Sequence, residues 1–253
     1  MTARSFVISR SAVQFRAPAP RGTSRPCLEV SQPMCGRYTY RLSWRDIHRL
    51  YSLTADAQPS NLQPRYNVAP TQIVPIVRAN RDLAWSRWGM IPPWVGSIAD
   101  IRIATINARA EGLEQSRLYR GPWYQARCLV PASGWYEWHT VGRSKQPYLI
   151  QRPGAETISF AGLWSLWRSP EGREIVSHTI VVTDAAPALR HIHDRMPVIV
   201  RAEDHAEWLS APTPPAHLLR ADPGPWDDVL VDARVGRVAD DDEGLIQPPR
   251  RLL

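Results

Sequence analysis

Lysine is almost absent from this 253-residue chain, where Lys145 is the only lysine among 31 basic side chains. Arginine pairs well with phosphate but forms no Schiff base, so any imine chemistry falls to Lys145 or to a chain-terminal amine. Cysteine is scarce too. Cys27, Cys35 and Cys128 are too few for a disulfide framework, and with no C-x-x-C pair they do not make a zinc site. A reducing, cytoplasmic setting is the expectation, with no metal or cofactor. No uninterrupted apolar run approaches the ~18 residues of a membrane helix, which excludes a spanning protein of that kind. Against three phenylalanines stand 11 tryptophans and 24 prolines, which argue for a loop-rich, aromatic-heavy fold rather than a helical bundle.

Hydrophobic residues make up 43% of the chain and charged residues 22%, so a chain of this length can bury a real core. The net charge of +7 is concentrated at one end. Residues 1–33 hold five arginines against Glu29, which leaves only +3 for everything from Met34 onward. Affinity for nucleic acid must therefore come from a local arginine cluster. Residues 1–33 show no sustained period of 3.6 or 2, and they read as a targeting segment, a disordered basic arm, or an extension absent from the working protein.

The texture changes at Met34. Ser43-Trp44-Arg45-Asp46 reads as a helix start, with Ser43 as the cap and Ile47, Leu50, Tyr51 and Leu53 as the buried stripe. The proline-punctuated stretch 58–71 reads as loop. Short β-branched or aromatic runs follow at 72–77, 83–88, 102–106, 127–130, 134–139, 148–151, 158–166, 179–183 and 198–200, with helices expected at 108–117 and 203–209. Many short strands with few intervening helices predict an α+β fold of mostly antiparallel sheets. A domain over 34–210 is expected, followed by a Pro-rich, acidic and loosely attached tail over 211–253.

The tetrapeptide Met34-Cys35-Gly36-Arg37 has chemical consequences. If Met34 is the initiator and is clipped, Cys35 becomes a terminus with an α-amine of ordinary pKa near ~8 and a thiol near ~8.5 on adjacent carbons. An aldehyde forms an imine with the amine, and the thiol then closes a five-membered thiazolidine. The alternative is an ordinary small core cysteine.

Further along the chain come Asn67-Val68-Ala69-Pro70-Thr71, Trp88-Gly89-Met90-Ile91-Pro92-Pro93-Trp94 and Asn107-Ala108-Arg109-Ala110-Glu111. Arg127-Cys128-Leu129-Val130-Pro131, Gly134-Trp135-Tyr136-Glu137-Trp138, Phe160-Ala161-Gly162-Leu163-Trp164 and His193-Asp194-Arg195-Met196-Pro197 complete the series. In this order, and following Met34-Cys35-Gly36-Arg37-Tyr38, they resemble the SRAP family (SOS response-associated peptidase), which includes the abasic-site processing proteins. The resemblance runs from Met34 to about Leu209. It implies an SRAP-like single domain acting in the DNA damage (SOS) response. It also implies that Cys35 becomes the N-terminus and bonds covalently to an abasic site in single-stranded DNA. Asn107, Glu137 and His193 match the family's active-site residues, and Arg37, Arg109 and Arg195 match its phosphate-gripping arginines. Residues 1–33 depart from the pattern. An amide nitrogen at Cys35 is not nucleophilic, so either the chain starts at Met34 or the segment is removed, and the family's peptidase name fits self-cleavage.

The residues also carry chemistry of their own. Aromatic neighbours should raise the pKa of Glu137 by desolvation, which suits proton shuttling. A histidine such as His193 suits acid–base work on the sugar oxygen. Trp85, Arg87, Trp88 and Trp94 share one short window, and base stacking on such rings is worth roughly 1–3 kcal/mol per base. Trp88 and Trp94 are the candidate stacking residues, in a turn stiffened by Gly and Pro. Three functions follow: a monomeric crosslinker of abasic single strands with possible lyase cleavage, an N-terminal-nucleophile thiol amidase, or a non-catalytic single-strand binding module.

Overall fold

The structure, a computed structural model, describes residues 35–53 and 62–249. The extension 1–33, with Cys27, lies outside the described residues, as do Met34, the loop segment 54–61 and residues 250–253.

Strand β1 (Arg37–Tyr40) leads into helix α1 (Trp44–Tyr51), followed by β2 (Arg65–Val68), β3 (Ile73–Arg78), β4 (Asp82–Trp88) and β5 (Asn107–Arg109). Helix α2 (Arg120–Gln125) precedes five strands, β6 (Arg127–Ala132), β7 (Gly134–Val141), β8 (Ser144–Gln151), β9 (Ile158–Arg168) and β10 (Glu174–Asp184). Strand β11 (Arg195–Pro197), helix α3 (His205–Ser210) and β12 (Asp227–Leu230) complete the order.

Two sheets form. One runs β12-β8-β7-β1-β2, with antiparallel pairing throughout. In the other, β3 pairs with β4 and β6, β6 with β9, β9 with β10, and β10 in parallel with β4, so five strands close a ring. Strands β5 and β11 attach to the far end of β10. The fold is the expected α+β type, and its parallel pairings are confined to β10. The two sheets meet through rings packed edge to face. Tyr38 of β1 lies 5.2 Å from Trp88 and 5.8 Å from Phe160, and Trp135 lies 6.1 Å from Phe160. Such pairs add about 0.5–1.5 kcal/mol each to the burial of apolar area.

Helix α1 begins as expected. The Ser43 hydroxyl accepts the Asp46 N–H at 3.2 Å, and the Asp46 carboxylate accepts the Ser43 N–H at 3.0 Å. Ile47, Tyr51 and Leu53 are buried and Leu50 half-buried. The buried Arg127 guanidinium donates to the carbonyls of Trp123, Tyr124, Trp208 and Ala211, tying together the C-terminal ends of α2 and α3.

Several expectations are corrected. The stretch read as loop over 58–71 contains β2, whose four residues are too few to show a period. Residues 102–106 form no strand, because Ile103 faces solvent and nothing alternates onto a core. The helix expected at 108–117 is absent. Ala108 pairs in parallel with Val181, and the chain then takes a 3-10 turn at Ala110–Gly112. Near 198–200 the strand is β11, one step earlier, with a single bridge from Ile199 to Phe160.

The tail is not loosely attached. Strand β12 extends the first sheet, and Val231, Val235 and Leu245 bury themselves against Tyr136 and Leu149. Isolated apolar anchors in an irregular segment leave no periodic trace in the sequence.

Candidate active site around Cys35

Cys35 stands two residues before β1, the strand between β7 and β2. The antiparallel register sets Arg37 opposite Tyr136 and Tyr38 opposite Trp135. Glu137, one residue past that pairing, reaches back over Gly36 to Cys35. One carboxylate oxygen, Oε1, accepts both the Cys35 backbone N–H at 3.0 Å and the Cys35 thiol at 2.7 Å. Both residues are 2% exposed. Cys35 adopts φ 42°, the left-handed region that a β-carbon disfavours.

Burial pushes the Glu137 carboxyl up to about 8, against the opposing pull of its two bonds from Cys35, and the nearby Asp194 charge adds to the rise. Burial and the Glu137 charge also hold the Cys35 thiol well above the usual range. Asp194 acts on both groups, so the turn before β11 faces this pair.

His193 lies in that turn. Partial burial lowers its pKa and keeps the ring neutral. Its Nδ1 accepts the Arg195 backbone N–H at 3.0 Å and also lies 3.0 Å from an Asp194 carboxylate oxygen. Those contacts ask opposite things of one nitrogen. With the ring neutral, the amide bond decides, Nδ1 is the acceptor and Nε2 carries the proton. Asn107 stands at the start of β5, beside Ile180, and its backbone carbonyl accepts the Tyr119 hydroxyl at 3.3 Å.

The three candidate arginines differ. Arg109 is exposed. Arg37 is half-buried, and its Nη2 lies 3.3 Å from the Gly236 carbonyl. Arg195 is held by two carboxylates, Glu111 at 2.5 Å and Asp184 at 3.2 Å.

The expected stacking surface is half corrected. Trp88 is fully buried, with its indole N–H given to the Ile106 carbonyl at 3.0 Å, so it is a core residue and not a stacking platform. Gly89 turns the chain at φ 111°, where a β-carbon would sit 2.9 Å from the Arg87 guanidinium. Met90, Ile91 and Pro92 remain inside, and only Pro93 and Trp94 emerge. Trp94 is 44% exposed, and the Arg117 guanidinium lies 4.5 Å from its ring centre.

Sequence reasoning gave no role to Asp194, Glu111 or Arg117. Asp194 and Glu111 sit inside motifs already quoted, where their charges were the available signal, whereas Arg117 lies 23 residues from the ring it covers.

Comparison with known proteins gives the family. Residues 34–238 match the family model for SOS response associated peptidase (SRAP). The abasic site processing protein YoqW of Bacillus subtilis is 38% identical over 181 residues, covering 70% of this chain and 80% of that protein. The abasic site processing protein YedK of Escherichia coli is 31% identical over 182 residues, covering 70% and 79%. A solved structure from Bacteroides thetaiotaomicron aligns with a TM-score of 0.78 at 25% identity, covering 85% of this chain and 100% of the other. The matched span contains Cys35, Glu137 and His193, and the chain belongs to the SOS response associated peptidase family.

Proposed function

We propose that this protein processes abasic sites in single-stranded DNA, capturing the open-chain sugar aldehyde as a thiazolidine on Cys35. One observation carries the reading: the nitrogen and the sulfur that such a ring requires share a single carboxylate oxygen of Glu137. The Cys35 amine, freed of the preceding residues, adds to the aldehyde carbon to give a carbinolamine. Glu137, protonated at neutral pH because burial lifts it to about 8, donates a proton to the departing hydroxyl, which leaves as water and yields the imine. The carboxylate then takes the thiol proton as sulfur adds to the imine carbon, and the nitrogen recovers a proton. His193, with Nε2–H as donor, serves the sugar ring oxygen during opening. Arg37 and Arg109 meet the phosphates, and Trp94 offers a ring for a base. The names borne by YoqW and YedK support the abasic site as the substrate.

A thiol amidase is disfavoured by the site itself. Such enzymes need a stabilised thiolate, whereas burial pushes the Cys35 thiol upward.

The test uses oligonucleotides with and without one abasic site, resolved on denaturing gels. Protein beginning at Cys35 should give a heat-stable adduct with the abasic strand alone, and Cys35→Ala should give none. A preparation of the whole chain should form adduct only in the fraction whose mass shows a start at Cys35. Equal adduct from Cys35→Ala, or from intact DNA, overturns the proposal. The imine stage also allows β-elimination, so Cys35→Ser should exchange the stable adduct for strand cleavage.

A further inference from the structure

Asn67 is fully buried on β2, and the quoted Asn67-Val68-Ala69-Pro70 motif has no role in the chemistry above. Its side-chain nitrogen lies 3.1 Å from the Val235 carbonyl, 2.9 Å from that of Arg237 and 2.8 Å from that of Asp240. Two N–H groups thus serve three carbonyls of one C-terminal loop. Asp241 closes the clasp from the other side. Its carboxylate accepts the backbone N–H of Tyr66 at 2.6 Å and of Asn67 at 2.9 Å, and it pairs with Arg65. Between Val235 and Arg237, two of the three residues whose carbonyls Asn67 holds, lies Gly236, whose carbonyl faces the Arg37 guanidinium.

Arg37 stands two residues from Cys35, and its buried Nε has no hydrogen-bond partner among the described residues. A carbonyl orients a guanidinium without cancelling its charge, whereas Arg195 is already matched by two carboxylates. We infer that Asn67 is a positioning residue. It fixes the loop 235–241 so that the Gly236 carbonyl turns the Arg37 guanidinium, still fully charged, toward a phosphate beside the captured sugar. This inference rests on the single-stranded DNA reading above.

The experiment measures reversible binding of the whole chain to an intact, unreactive single-stranded oligonucleotide across a salt series. Each phosphate contact contributes about 0.7 to the slope of log K against log salt for single strands. Arg37→Ala should lower the slope by about that amount, Asn67→Ala should lower it equally, and the double variant should fall no further. Asp241→Asn keeps Asn67 and tests the clasp more gently. It should also lower the slope, although removing an acid by simple electrostatics would strengthen binding to a polyanion. A folded Asn67→Ala with the wild-type slope overturns the inference, as does an additive double variant. If Asn67→Ala does not fold, an unchanged or raised slope in Asp241→Asn overturns it. Absence of any salt-dependent binding by the wild type instead defeats the DNA reading, and this inference with it.

Discussion

Glu137 and His178 are two ionisable side chains treated alike by burial and differently by their neighbours. Both sit on strands, 2% and 0% exposed, and burial drives each toward its neutral form. The carboxyl rises to about 8 and the imidazole falls to about 3. His178, on β10, has its Nδ1 2.9 Å from the Ser86 hydroxyl on the adjacent β4, and its Nε2 is buried without a partner among the described residues. Glu137 faces the nitrogen and sulfur of Cys35. A shifted pKa therefore does not by itself mark a reactive group. The shift must end near the working pH, and the group must touch an atom that gains or loses a proton. Glu137 meets both conditions and His178 meets neither.

The sharpest way to break this comparison is to remove each proton. Glu137→Gln keeps the shape and an acceptor oxygen but cannot shuttle, so crosslinking to an abasic strand should slow by about 10²–10⁴-fold, the range for lost general acid–base catalysis. Affinity for an intact strand should hold. Single-turnover crosslinking against a reversible binding assay separates the two quantities. A rate within a few-fold of wild type would remove Glu137 from the mechanism.

A smaller effect appears in stability. With a folded value of about 8 against an ordinary 4.5, the unfolded chain releases the Glu137 proton first as pH rises. The stabilisation is whole below pH 4.5 and is lost progressively up to about pH 8, reaching a few kcal/mol. Glu137→Gln has no such loss, so its melting temperature relative to wild type should be higher at pH 8 than at pH 5. An offset that is the same at both pH values would mean that Glu137 is not held neutral by burial.

How much of this was legible in the sequence depends on how local the cause is. The Ser43 cap, most strands from β6 to β10 and the desolvated carboxyl among Trp135, Tyr136 and Trp138 were readable, because each follows from neighbours in the chain. Trp88 was misread, because whether a tryptophan beside a turn faces in or out depends on Tyr38 and Ile106, which are distant in sequence. The C-terminal segment was misread for a related reason. Its order comes from Asn67 and from Tyr136 and Leu149, about a hundred residues or more upstream. The helix expected at 108–117 failed because β10 offers Ala108 a strand partner.

The smallest expected effect concerns His178 and is the control that gives the first its meaning. As pH falls below 6.5, the unfolded chain takes up the His178 proton while the folded ring refuses it down to about 3, so its stabilisation is present above pH 6.5 and drains away over that window. His178→Gln should cost about 1 kcal/mol at pH 7.5 through the altered bond to Ser86. It should cost less, or nothing, at pH 4.5, where the wild type has surrendered part of the histidine's contribution. Thermal melts at the two pH values check the sign. Crosslinking at pH 7.5 should be unchanged, because no proton moves through a ring locked neutral beside a serine. A His178→Gln protein that melts normally but crosslinks as slowly as Glu137→Gln would show that burial alone, without contact to Cys35, reaches the chemistry, and the distinction between these two residues would fail.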